Sequence, residues 1–170
     1  MSGSAGAVPV SRPAHKPSRD AEHRSVAGTA TTLTLGPLPS AVPCARAHAV
    51  LVVHGWGLGH LADSVAVVVS ELTTNAVQAT TGAGLDGHTW QGTHHYGRPP
   101  VRLALSTDGE SVLVEVWDAN EGEPAPQQPG PDDMSGRGLV IVGALAEETG
   151  TSRLEGTTGK VVWALVRGGA

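Results

Sequence analysis

Leu61–Thr80 reads LADSVAVVVSELTTNAVQAT, and the spacing inside it decides the fold. Leu61, Val65, Val68, Leu72, Ala76 and Ala79 recur at steps of three and four, the period of one buried helix face. Val65–Val69 is rich in β-branched residues and would also suit a strand. The period persists through the whole stretch, far beyond the length of an ordinary strand, so the reading is helix. A second row lies beside the stripe: Ser64, Val67, Glu71, Asn75 and Gln78. Glu71 and Asn75 are four residues apart and project to the same side, one turn from each other. A carboxylate and an amide at the edge of a buried face suit a divalent cation and a reacting hydroxyl. Taken alone, the row reads more simply as the solvated edge of a helix.

The composition limits what can surround this helix. The chain has 170 residues, 16% charged and 39% hydrophobic, with no Phe and one Tyr, so one domain is expected and its core must be built from Val, Leu and Ala. A net charge of −5 argues against a direct nucleic-acid binder, which would show a basic face. The lone Cys44 allows no internal disulfide and no cysteine-based zinc cluster, which points to the cytoplasm. No apolar run approaches the length of a membrane span, so no membrane partner is expected.

Outward from the helix, residues 1–28 are Ser, Pro, Gly and Ala without periodicity, and a disordered tail is expected there. The domain is expected to occupy residues 29–170. Thr29–Leu35 alternates and suits an edge strand. Ser40 is a candidate N-cap for a helix to about Val53, with Pro43 in its first turn and Ala47, Val50, Leu51 and His54 along it. Gly55 and Gly57 end it, with Trp56 as a packing anchor. The loop Thr81–Pro100 holds His88, His94 and His95, a solvated loop rather than a metal site because no acidic ligands accompany them. Val101–Ser106 and Ser111–Trp117 flank Asp108-Gly109 and read as a hairpin. A helix is expected from Leu139 to about Glu148, packing through Leu139, Val142, Leu145 and Ala146, with Gly150 as its stop. Thr151–Leu154 and Lys160–Val166 close the chain as a second hairpin.

Two further motifs carry chemistry. Gly136-x-Gly138 before a helix offers unencumbered backbone N–H groups where the helix dipole favours phosphate; a turn requiring positive φ explains the glycines equally well. Asp118, at a strand end, is either a buried acceptor for an exocyclic amine or a turn-forming Asx residue.

The order of these pieces is more specific than any one of them. Glu71-Leu72-Thr73-Thr74-Asn75-Ala76, then Asp118-Ala119-Asn120 after a strand, then Ser135-Gly136-Arg137-Gly138-Leu139 before a helix, then Gly159-Lys160-Val161-Val162-Trp163 on the last strand resembles the Bergerat or GHKL ATP-binding domains of gyrases, heat-shock chaperones and histidine kinases. Within that group the series is most similar to the small anti-sigma-factor serine kinases and their stand-alone actinobacterial relatives. The resemblance covers Thr29 to Arg167. It implies an α+β two-layer sandwich, a mixed, mostly antiparallel sheet packed on about three helices. It also implies ATP and Mg²⁺ as ligands. Glu71 then matches the general base toward an acceptor serine, Asn75 the Mg²⁺ ligand, and Asp118 the acceptor for the adenine amino group. Asn120, Gly122, Gly136, Arg137, Gly138 and Leu139 fall in the nucleotide-binding segments.

The expected function is an ATP-binding regulator that acts as a protein serine kinase on a small anti-anti-sigma-type partner. A sigma factor is a further candidate partner, and a homodimer is among the assemblies the resemblance allows. The alternative is a module that binds ATP and regulates a partner without phosphotransfer. Departures from the family pattern are Val161 in place of a Thr that supports water at adenine, Asn120 in place of a Gly, Gln78-Ala79 in place of Arg-His, and a longer Thr81–Pro100 loop. A substitution of Asp118 by Ala is expected to abolish ATP binding with the fold intact.

Overall fold

A computed structural model of the chain describes residues 29–82, 98–120, 138–153 and 158–168. The expected tail, the three loop histidines, Gly122, Gly136 and Arg137 lie outside these residues. The elements in order are β1 (Thr29–Leu35), α1 (Ala41–Gly55), a 3₁₀ turn (Gly59–Leu61), α2 (Ala62–Gly82), β2 (Val101–Thr107), β3 (Ser111–Asp118), α3 (Gly138–Leu145), β4 (Glu148–Ser152) and β5 (Lys160–Arg167). The strands form one sheet in the order β1-β2-β3-β5-β4. With α1, α2 and α3 packed on it, the sheet makes the expected α+β two-layer sandwich, and every described pairing is antiparallel.

Strand alternation builds the core. Leu103, Leu105, Val112, Val114, Val116, Ala164 and Val166 are buried on the sheet face that meets the helices. Opposite them stand Val65, Val68, Leu72 and Ala76 of α2, the face read from the sequence. Each Val or Leu among them contributes about 1.5–3 kcal/mol by leaving water, which is how a domain without Phe is held. The polar residues of α2 bond back to its own backbone: Ser70, Thr74, Thr80 and Thr81 donate to carbonyls four residues earlier, at 2.7–2.8 Å.

The inner face of α1 is built from small residues rather than from the residues named along it above. Ala41, Ala45, Ala49 and Val53 are buried, whereas Ala47 and His54 are exposed, Val50 is half-buried and Leu51 is 74% exposed. Hydropathy alone favours Val50 and Leu51, but small residues four apart let α1 approach α2 closely, and packing decides. Accordingly Ala49→Leu is expected to destabilise by about 1–3 kcal/mol through overpacking, and Leu51→Ala to stay within about 0.5 kcal/mol. Urea unfolding of the two variants reads this directly; the reverse order would contradict the face assigned to α1.

Ser40 precedes α1 with helical backbone angles and makes no side-chain cap. The other end is a Schellman motif: Gly57, at φ 76°, donates to the His54 carbonyl and Leu58 to that of Val53. In the β2–β3 turn, Asp108 Oδ1 accepts from the N–H groups of Glu110 and Ser111 and from the Ser111 hydroxyl, while Gly109 takes φ 94°. Desolvation pushes the Asp108 carboxyl up, and those bonds together outweigh it and hold the group below its ordinary value. The helix expected to reach Glu148 ends at Leu145, and Gly150 lies in β4 instead. A Cβ on Gly150 would strike the Trp163 ring across the strand pair, so the glycine is there for space.

Candidate functional site

Helix α2 carries Glu71 and Asn75 at mid-length, both half-buried at the edge of the core face. Four residues of helix set them about 6 Å apart along the axis. Leu72 and Ala76 beside them are buried, so the row is anchored by the core.

Glu71 meets α3. A Cβ built on Gly138 would run into the Glu71 carboxylate, so the start of α3 and the end of the Glu71 side chain share one space. Gly138 does not take positive φ; among the described glycines only Gly57, Gly109 and Gly159 do. Leu139 follows and packs on the core. A pocket of about 170 Å³ lies under α3, lined by Leu72, Leu139, Val142, Thr151 and Val162. It contains neither Asn75 nor Asp118 and is a gap beneath the helix, distinct from the residues that carry the chemistry.

Asp118 ends β3 on the inner face and is 1% exposed. Its Oδ1 accepts from the Asn120 N–H at 2.9 Å, so the Asx turn exists. The same oxygen accepts from Lys160 Nζ, also at 2.9 Å, and Lys160 is itself buried. Asp118 is therefore a turn residue and also a buried acceptor for the Lys160 ammonium. Burial pushes its carboxyl above the usual carboxylate range, while the Lys160 ammonium and the Asn120 N–H pull it back. The expectation that Asp118→Ala spares the fold does not survive this pair, because removing the carboxylate strands a buried ammonium.

Asn120 joins the strand end to the helix. Its Nδ2 donates to the Ala79 carbonyl at 3.1 Å, in the last turns of α2. The structure thus forms two clusters, Glu71 with Gly138 and Asp118 with Asn120 and Lys160, and α2 runs between them with Asn75 on the way.

Lys160 was quoted in the sequence series without a role. The signal was present: Lys160, Val162, Ala164 and Val166 share the inward alternation of β5, and a lysine there needs a buried acid. Val161 pairs with Trp117. The residue of β5 that meets Asp118 is Lys160, while Val161 lies on the opposite sheet face.

The arrangement fits an adenine nucleotide by its donor set. It offers a buried carboxylate for an exocyclic amine, a glycine-opened helix start, and an amide oxygen that suits a hard cation sharing its shell with phosphate oxygens. The family model for the histidine kinase-like ATPase domain matches residues 38–165. The chain belongs to that family, and as such it is an ATP-binding regulatory protein. Comparison with curated proteins gives no match. No helix among the described residues is long and apolar enough to cross a membrane.

Proposed function

We propose that this protein is a serine kinase of the anti-sigma-factor type, phosphorylating a small anti-anti-sigma-type protein from ATP and Mg²⁺. The observation that supports this most is the Glu71 carboxylate held against Gly138 at the start of α3, one helical turn from Asn75. A general base works beside the group it deprotonates, and the closeness of the Glu71 carboxylate to the start of α3 supports that role. When bound, ATP supplies the phosphoryl group and Mg²⁺ neutralises its charge.

The chain's own residues then have distinct tasks. Asp118 accepts from the adenine amino group, and Asn75 offers its amide oxygen to the cation. Gly138 and Leu139 present the N-terminus of α3 to phosphate. Glu71 takes the proton from the acceptor serine hydroxyl.

Asn75→Ala is expected to weaken ATP binding in the presence of Mg²⁺ and to leave metal-free binding nearly unchanged, as read by titration calorimetry with and without the metal. A loss equal in both conditions would remove Asn75 from the metal site. The kinase reading itself is tested by intact mass of a partner captured and co-expressed from the protein's own source, with one added phosphoryl group as the expected result.

The second reading is an interaction module that binds ATP without phosphotransfer. It is favoured by the same contact, because a carboxylate that packs on Gly138 also orders α3 without reacting. The proposal includes cytoplasmic location and, as further partners, a sigma factor and a second copy of the chain.

A further inference from the structure

We infer that Lys160 is the positioning residue for base recognition: it holds Asp118 as a carboxylate and commits Oδ1, so that Oδ2 is presented to a nucleotide amino group. This rests on Asp118 being the adenine acceptor, as proposed above.

The sheet fixes the pair. Asp118 and Lys160 are directly opposed in the β3–β5 register, so their meeting does not depend on a wandering side chain. Gly159 makes the approach possible. At φ 97° it turns the chain tightly, and a Cβ on it would strike the Asp118 carbonyl oxygen and press on Ala119 and the Trp117 ring. The Lys160 ammonium lies 2.9 Å from Oδ1 and 3.1 Å from the Asn120 carbonyl oxygen, with 5% of its side chain exposed. It is a structural part of the site floor.

Among the described residues, Lys160 is the cation that meets Asp118. On α2, Asp63 is exposed and Glu71 lies against Gly138. On β2, Arg102 stacks over Trp117 at 5.0 Å on the opposite sheet face. Glu115 of β3 shares that outer alternation. At the far end of β5, Arg167 reaches Asp108 and Glu147. Helix α3 has no titratable residue, and Glu148 of β4 is exposed.

The consequence is chemical. Without the cation, burial favours the protonated acid, and a proton on Oδ2 would set a donor against the donor amine of adenine. Below the raised pKa, ATP must then bind against that proton, losing about tenfold in affinity per pH unit.

The test measures ATP affinity of the full chain from about pH 6 to about pH 9, for the wild type and Lys160→Met. Expected is a flat profile for the wild type and a variant whose affinity rises steeply toward alkaline pH. A Lys160→Met profile parallel to the wild type, whether equal or uniformly weaker, would overturn the inference. Carboxyl NMR titration of Asp118 in the wild type tests it even if the variant does not fold: an ionised Asp118 at neutral pH supports it, a protonated one overturns it. Asp118→Asn separates the two levels. Undiminished ATP affinity in that variant overturns the adenine reading and this inference with it, whereas lost affinity beside parallel pH profiles overturns the inference alone.

Discussion

Glu71→Gln is expected to lower phosphotransfer to an acceptor serine by about 10²–10⁴-fold while ATP affinity stays nearly unchanged. The substitution is close to isosteric, so the fit against Gly138 is kept and α3 begins where it did. What it removes is the capacity to take up a proton. A loss confined to the rate, with the nucleotide dissociation constant preserved, is the signature of an interaction made only as the reaction proceeds. Single-turnover transfer and equilibrium ATP titration on the same preparations separate the two quantities. An unchanged rate would place the proton acceptor elsewhere. If the wild type phosphorylates nothing from its own source while ATP still alters partner binding, the interaction-module reading stands and Glu71 is a packing residue of α3.

Asp118→Ala is expected to abolish ATP binding and also to cost about 3–5 kcal/mol of stability, since it leaves the Lys160 ammonium buried and unpaired. The two losses have different origins and can be separated. In the double variant Asp118→Ala/Lys160→Met both charges are gone, and an apolar stem fills the space of the lysine. Stability is therefore expected to return to near the wild-type value, while ATP binding stays absent. Denaturant unfolding and calorimetric titration of the single and double variants give both readings. A single variant as stable as the wild type would contradict the buried pair; recovery of ATP binding in the double variant would contradict Asp118 as the adenine acceptor.

The parts of this protein legible in its sequence are those governed by local periodicity. Leu61–Thr80 named its own helix and buried face because the 3.6-residue period persists, and Asp108-Gly109 marked its hairpin because turn chemistry is local. The inner face of α1 is not legible locally because interhelical fit selects Ala45 and Ala49 over the more apolar Leu51, and fit is a property of two elements. Gly138 and Gly150 look alike in sequence as helix punctuation. One leaves room for Glu71 and the other for Trp163, each from a distant part of the chain. Lys160 was hidden for the same reason: 42 residues separate it from Asp118, and only the β3–β5 register brings them together.

The central claim is that a buried Asp118 reads an adenine amino group in a nucleotide site built along α2. Equilibrium titration of the full chain with ATP, ADP and GTP tests it most directly. Guanine presents a carbonyl oxygen where adenine presents its amine, setting two acceptors against each other at a cost of about 1–3 kcal/mol or more in a buried site. ATP and ADP are expected to bind and GTP not to. Equal affinity for ATP and GTP would contradict the account and take Asp118 out of the site.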